Sequence, residues 1–424
     1  MLKKFLPKSA FAKNVVTLMT GTGLAQVIPI ALSPILTRLY TPEEFGVFAF
    51  YASICAILAV LVTGKYELAV IVSKYEVEAV NLVAVTITIS LVISLLLLII
   101  AMMFGPELAG VVGRPGFEKW FYVIPFATFV VACYHSLNFW TNRRSRYRNM
   151  AISRLVQSGI SGFLQLVAGV FKVGLLGAGL IIGQVIGQLV STLYLSVSVT
   201  AGERKLFQRV NMKRMRCVAR KYVNYPKLML PGQMMSVGAA ELPLLVLTVF
   251  YGAAVAGEYS LAQRVMAVPM TLVAGAVGDV YRQRAATEYA RQGQCLEVFI
   301  TSLKRLFLVA LLPVLPVLFL GPWLFELVFG TGWRGAGEIA SVLSVLVFFQ
   351  TLSSPLSSTV LLPGWLHLDS IWQFIRLVLV GIVFYICLKM EVGYMFMVLA
   401  YVGTLSCLYL MHSCLQYKAS KGIL

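Results

Sequence analysis

The chain has 424 residues, of which 59% are hydrophobic and only 12% are charged, and its formal net charge is +18. This composition excludes an ordinary water-soluble domain, in which about 25% of residues are charged. Apolar segments of about twenty residues, such as 79–104 and 392–410, recur along the chain and are each long enough to cross a bilayer as a helix. The sequence therefore predicts an all-α, polytopic membrane protein.

In chain order, we predict twelve transmembrane helices, six in each half. They lie at residues 14–38, 44–63, 79–104, 118–140, 151–171, 175–199, 228–250, 255–280, 300–320, 337–361, 365–388 and 392–413. Lysine and arginine concentrate in alternate connecting segments, as they do in cytoplasmic loops. This pattern predicts a bacterial inner membrane protein with both termini in the cytoplasm. It also explains the net charge without nucleic acid as a partner.

The two halves of the chain resemble each other at an interval of 211 residues. The apolar string 35–40 is echoed by 246–251, and in the same register Gly46 corresponds to Gly257. A chance match of short apolar strings is the alternative explanation. Six helices per half predict two six-helix bundles related by a pseudo-two-fold axis along the membrane normal, with transport by alternating access.

Three domains are predicted from this repeat. They are an N-terminal bundle at 1–200, a basic cytoplasmic linker at 201–227 and a C-terminal bundle at 228–424. The linker mixes basic and apolar residues, which favours an amphipathic helix on anionic phospholipids. An ordinary linker that obeys the positive-inside rule is an equally good interpretation.

The sequence lacks the motifs of an enzyme. Its seven cysteines and three histidines are scattered singly, and it contains no P-loop, nucleophile elbow or cluster of carboxylates. The longest predicted outer loop, 105–117, is too short for a catalytic domain. We therefore expect no catalytic residue, no metal site and no organic cofactor. Both H⁺ and Na⁺ remain candidates for a coupling ion.

Charged residues within the predicted spans are the best site candidates, because each costs roughly 2.5–3.5 kcal/mol at a helix centre. Arg264 and Glu241 lie at similar depths in adjacent helices and are predicted either to pair with each other or to act on substrate and coupling ion. Arg376 is also in mid-span, whereas Arg154 lies nearer the inner end of its helix, where a long side chain can reach the surface. Arg38 ends the first helix on the outer side.

A polar inner vestibule is predicted where further charges meet the inner membrane edge. Its candidates are Lys65 and Glu67 after the second span, and Asp279 and Arg282 at the end of the eighth. Within the spans, cations outnumber deeply placed acids. This balance favours a substrate with a pyrophosphate group, which arginine binds well, over a cationic drug.

Three segments resemble the O-antigen and capsule repeat-unit flippases of the multidrug/oligosaccharidyl-lipid/polysaccharide exporter superfamily. They are LTRLYTPEEFG at 36–46, GKYELA at 64–69 and GEYSLAQR at 257–264. The related lipid II flippases have a similar A-x-R-x-M-x-x-P run, matched here by Ala262, Arg264, Met266 and Pro269, in which the arginine handles substrate. Lipid II flippases typically have two further helices, which this chain lacks.

The resemblance implies two six-helix bundles around a cationic cavity. It also implies an oligosaccharide on undecaprenyl pyrophosphate as substrate, and the polysaccharide polymerase and chain-length machinery as partners. Arg264, Arg38 and Arg376 would contact phosphate, with Glu241 as counter-ion or proton site. Two alternatives remain open. One is an ion-coupled exporter of drugs or small cations, and the other is a membrane polymerase or glycosyltransferase that uses the same lipid carrier.

Overall fold

The computed structural model describes residues 10–112, 117–173, 177–361 and 366–422. Within these ranges the chain is almost entirely helical and contains no β-strand. This is the expected outcome for an apolar chain, because a helix satisfies its backbone hydrogen bonds within one segment. The all-α fold predicted from composition is confirmed.

The first half of the chain contains six long helices and two short ones. They are α1 (Ala10–Leu39), α2 (Pro42–Thr63), the short α3 (Glu67–Val72), α4 (Glu76–Val112), α5 (Glu118–Arg143), α6 (Tyr147–Val170), α7 (Ala178–Phe207) and the short α8 (Met212–Lys221). The second half contains six long helices. They are α9 (Leu230–Tyr251), α10 (Ala253–Gln292), α11 (Leu296–Phe329), α12 (Arg334–Ser353), α13 (Leu366–Lys389) and α14 (Tyr394–Ser420).

Each of the twelve predicted spans corresponds to one of these long helices. In the described ranges, ten helices are long and apolar enough to cross a membrane by length and composition. The two long helices outside this set are α6 and α10, which carry the intramembrane candidates Arg154 and Arg264. The protein is a multi-pass membrane protein.

The chain divides into two compact units. The first comprises 1–40 and 47–237, and the second comprises 41–46 and 238–424. Helix α9 therefore crosses the boundary between the units, and the basic segment 201–227 lies within the first.

In the first unit, small residues allow close packing of α1 on α6. A Cβ on Gly21 would lie 2.4 Å from the Cβ of Ala151, and one on Gly162 would lie 2.3 Å from Leu32 Cδ1. Such close approach replaces the hydrophobic driving force that is missing between helices in lipid. These contacts hold α6, and with it Arg154, against α1.

The basic segment of the first unit forms the predicted amphipathic helix, α8. Met215 and Val218 are buried against α4, whereas Lys213, Arg214, Arg216 and Arg220 are exposed. The Tyr66 hydroxyl donates to the carbonyl oxygen of Ala219 over 3.1 Å, and Lys221 Nζ lies 2.7 Å from Glu78 Oε1. These bonds fix α8 to the turn before α3 and to the start of α4.

In the second unit, the first residues of α2 pack on α10 and next to α12. The rings of Phe45 and Trp333 meet edge to face with centroids 4.9 Å apart. Helices α11 and α12 are closely packed where a Cβ on Gly337 would lie 2.5 Å from the carbonyl oxygen of Gly321. These contacts pack α10 and α12, which both line the cavity described below, closely against their neighbours.

Candidate functional site

A cavity of about 310 Å³ opens within the second unit. Its polar lining comes from four helices: Tyr259 and Gln263 on α10, Gln350 on α12, Arg376 on α13, and Tyr401 and Tyr409 on α14. The rest of the wall is apolar and includes Met266, Leu343 and Leu405. A mainly apolar cavity with a few convergent polar groups is typical of a ligand site. We call it the C-terminal cavity.

Arg376, a mid-span candidate from the sequence, lines this cavity. It lies close enough to Tyr401 for an electrostatic interaction, and so does Glu241 of α9. The side chains of Tyr259 and Tyr401 lie close enough to each other for an electrostatic interaction. The structure thus brings two of the predicted residues, Arg376 and Glu241, to one tyrosine pair.

Arg264 lies on α10 next to the cavity residue Gln263 but is not part of the cavity wall. One residue along a helix corresponds to a rotation of about 100°, so Arg264 belongs to a different face of α10. Its side chain is partly buried, and it makes no hydrogen bond or ion pair with any residue in the described ranges. The structure does not show the predicted ion pair between Arg264 and Glu241.

In the first unit, Lys65 and Glu67 form an ion pair, with Lys65 Nζ 3.8 Å from Glu67 Oε1. Lys65 has a φ of +59°, a left-handed conformation that is uncommon for a residue other than glycine. This turn directs both side chains to the same place. The Glu67 side chain is only 4% exposed, and its Oε2 atom has no hydrogen-bond partner in the described ranges.

Burial raises the pKa of the Glu67 carboxyl above its ordinary value, and the nearby Lys65 and Thr63 offset only part of that rise. His135 of α5 lies within electrostatic range of both Lys65 and Arg154. The Arg154 guanidinium donates to the Thr22 hydroxyl on α1. Lys65, Glu67, His135 and Arg154 thus form one polar group, which we call the N-terminal cluster.

The remaining predicted residues do not join either group. Arg38 at the end of α1 and Arg282 on α10 are exposed. The side chain of Asp279 lies outside the described residues. Sequence reasoning missed the neutral polar residues of the C-terminal cavity. Tyr259, Gln350 and Tyr401 all lie within predicted spans, and uncharged polar residues in apolar helices were a signal that could have found them.

No curated protein has a sequence that matches this chain. Solved structures show the fold. One match is an inward-facing multidrug resistance MATE family transporter of the MOP superfamily, with 13% identity, a TM-score of 0.72 and coverage of 92% of this chain and 93% of that one. Another is the lipid II flippase MurJ in an inward closed conformation, with 14% identity, a TM-score of 0.73 and coverage of 96% and 90%.

A MOP superfamily transporter from Pyrococcus furiosus, described as having reversed polarity in its binding pocket, matches with 13% identity, a TM-score of 0.61 and coverage of 96% and 94%. These likenesses show that the chain has the fold shared by these three proteins. Residues 35–338 also match the model of a family described as polysaccharide biosynthesis protein. The chain belongs to that family, and the resemblance found from its sequence motifs is confirmed.

Proposed function

We propose that the protein is a flippase that moves oligosaccharide repeat units of O-antigen or capsule, linked to undecaprenyl pyrophosphate, from the cytoplasmic to the periplasmic leaflet of a bacterial inner membrane. The proposal assigns alternating access to the two units and places both termini in the cytoplasm. Membership of a polysaccharide biosynthesis family and a fold shared with a lipid II flippase support this class of substrate.

The observation that carries the proposal is the environment of Arg264. A guanidinium in a membrane span is costly unless another group compensates its charge. Within the described ranges no protein group does so for Arg264. An anionic ligand would supply the missing partner, and the planar guanidinium matches two phosphate oxygens at once. We therefore assign Arg264 to the pyrophosphate.

Arg376 supports the same substrate from a second position. The C-terminal cavity combines the Arg376 guanidinium with side-chain amides and phenol hydroxyls. A guanidinium binds phosphate, and amides and phenol hydroxyls bind sugar hydroxyls. In the proposal, Arg376 and the cavity hold part of the head group, and Glu241 is the counter-ion or proton site beside them. Arg38, Lys65, Arg154 and Arg282 are secondary contacts along the path.

Export of a diphosphate is also favoured by the membrane potential. Two negative charges leaving a negative interior release on the order of 4–5 kcal/mol at 100 mV, unless a cation travels with them. H⁺ and Na⁺ are both retained as coupling ions in the proposal. Glu67 suits a proton because its carboxyl is buried and its raised pKa brings protonation closer to neutral pH.

The exposed cations of α8 complete the proposal at the membrane surface. Lys213, Arg214, Arg216 and Arg220 are exposed on a helix whose other face is buried on α4. Attraction of anionic phospholipids is worth on the order of 1 kcal/mol per basic residue near the surface. We assign this face to the anionic inner leaflet, and we place the polysaccharide polymerase and chain-length machinery downstream of the exported unit.

The test is replacement of Arg264 in the native host. Arg264→Ala is expected to abolish surface polysaccharide while the amount of protein in the membrane stays unchanged, and Arg264→Lys is expected to restore only part of it. The matched control is Arg334→Ala, because Arg334 is 67% exposed and pairs with Glu326 at 3.6 Å. Normal polysaccharide with Arg264→Ala would reject the proposal. Drug resistance on overexpression, without any effect of deletion on polysaccharide, would favour a drug exporter.

A further inference from the structure

A second and larger cavity of about 810 Å³ lies in the second unit, between the end of α10 and the start of α11. It shares no lining residue with the C-terminal cavity. Four charged side chains line it: Arg284 and Glu288 on α10, and Glu297 and Arg305 on α11. Hydroxyl side chains and valines make up much of the rest. We call it the α10–α11 groove.

The groove has a fixed floor. Tyr281, Cys295 and Phe299 are each 1% exposed beneath it, and the Tyr281 hydroxyl is 2.5 Å from Thr359 Oγ1. The turn between the helices is held because the Cys295 amide donates to the carbonyl oxygen of Ser420 over 2.8 Å. A rigid base keeps the charged side chains of the two helices at a constant separation, which favours binding of one kind of ligand.

The charges of the groove are available to a ligand. Neither arginine forms an ion pair with either carboxylate, and none of the four makes a side-chain hydrogen bond to any residue in the described part of the chain. Arg284 and Glu288 form no ion pair although they are four residues apart on α10, a spacing at which side chains on a helix are neighbours. Among the residues that the structure describes, the groove therefore presents two cations and two anions that form no ion pair to one volume.

The groove also lies where charged helix ends give way to apolar helix surface. On α11, Arg305 is followed by Leu308 and Leu312, which are 69% and 79% exposed. On α10, the groove residue Val280 is 52% exposed. Exposed apolar side chains of this kind contact lipid tails, and the charged residues beside them lie at the level of the head groups.

We propose that the α10–α11 groove binds the head group of a zwitterionic phospholipid of the phosphatidylethanolamine type. Arg284 and Arg305 contact its phosphate, Glu288 and Glu297 contact its ammonium group, and its chains lie along Val280 and the apolar surface of α11. An anionic phospholipid would satisfy the arginines but would leave both carboxylates beside its negative charge. This site does not depend on the proposed transport substrate.

The test compares lipids bound to purified protein. The full-length protein is equilibrated in vesicles of equal phosphatidylethanolamine and phosphatidylglycerol, and the lipids that remain bound are measured by native mass spectrometry. Wild type is expected to retain phosphatidylethanolamine preferentially. In E288Q/E297Q the ratio of phosphatidylethanolamine to phosphatidylglycerol is expected to fall about threefold to tenfold, the effect of losing one or two partly exposed ion pairs. R284Q/R305Q is expected to lose both lipids.

The matched control is E326Q/R334Q, which removes an exposed ion pair that lies neither in the groove nor on α8, and it should leave the wild-type ratio unchanged. Glu297→Gln alone, on an exposed side chain, provides a milder variant if the double variant does not fold, and it should lower the ratio in the same direction. No preference in wild type, a preference for phosphatidylglycerol, or a wild-type ratio in the Glu→Gln variants would each overturn the proposal.

Discussion

Gly46 of α2 and Gly257 of α10 pack backbone to backbone, with no space for a side chain on either. A Cβ on Gly46 would lie 1.7 Å from the carbonyl oxygen of Ala253, and one on Gly257 would lie 1.8 Å from that of Pro42. The contact is reciprocal, because Pro42 and Ala253 are separated by the same 211 residues as the two glycines. It joins the starts of two helices that correspond in the sequence repeat.

Replacement of either glycine by alanine is expected to destabilise the protein by about 1–3 kcal/mol, because the added methyl group forces the two backbones apart. The measurement is thermal unfolding of the purified protein in detergent. Gly238→Ala is the matched control, since a Cβ at that helical position meets no atom within 4 Å. That control should be neutral or slightly stabilising. Equal behaviour of Gly46→Ala and Gly238→Ala would contradict the close contact.

Arg376→Gln is expected to reduce export of the lipid-linked oligosaccharide, because the C-terminal cavity then lacks a cation for phosphate. Arg376→Lys should retain more activity than the glutamine variant but less than wild type. The measurement is the amount of surface polysaccharide in a deletion strain that expresses each variant. Arg334→Gln is the control, because it removes an exposed cation that lies outside the cavity. An equal loss of polysaccharide in Arg334→Gln and Arg376→Gln would argue against phosphate binding by Arg376.

Glu67 should make the stability of the protein depend on pH. Its folded-state pKa is raised, so the stability that it contributes is present below its unfolded pKa and is lost as pH rises through the folded value. Wild type should therefore lose stability relative to Glu67→Gln as pH increases above about 4. Melting temperatures measured from pH 4 to about pH 8 test this. Glu107→Gln, at an exposed position, should leave the wild-type dependence intact.

Glu203, near the end of α7, accepts two hydrogen bonds and forms ion pairs with two arginines, and it is expected to be important for stability. It lies 2.9 Å from Trp140 Nε1, 3.0 Å from Arg144 Nε and 2.7 Å from Arg146 Nη2. Glu203→Gln should cost about 1–3 kcal/mol, because its carboxylate is 9% exposed and its arginine partners are only partly solvated. Glu76→Gln removes the 53% exposed partner of Arg144 and should cost less than about 1 kcal/mol. Similar melting temperatures for the two variants would contradict this ranking.

The helices were predictable from sequence because length and hydropathy determine which segments can cross a bilayer. The predicted spans 44–63 and 118–140, for example, differ little from α2 and α5. The extension of α10 to Gln292 was not predicted, because beyond the membrane a polar helix lacks the apolar signal. The same holds for the α10–α11 groove, whose charges are ordinary surface residues until the fold brings two helix ends together.

The site was only partly predictable for a related reason. Burial cost identifies Arg264 and Arg376 as unusual without a structure. It does not identify their neighbours, because partners such as Tyr401 lie on helices distant in sequence. The proximity of Lys65 and Glu67 is easier to predict from sequence, because both residues belong to one short turn. The pairing of Glu241 with Arg264 was plausible from depth alone, but depth does not specify which face of a helix a residue occupies.

The central claim is that Arg264 binds the diphosphate of a lipid-linked oligosaccharide during its transfer across the membrane. The most direct measurement is translocation of undecaprenyl-pyrophosphate-linked oligosaccharide in proteoliposomes that contain the purified protein, followed by the accessibility of the sugar to an external glycosidase. Wild type and Arg334→Ala should transfer the substrate, whereas Arg264→Ala should not, although it is folded and inserted. Equal transfer by Arg264→Ala and wild type, or no transfer by wild type, would contradict the claim.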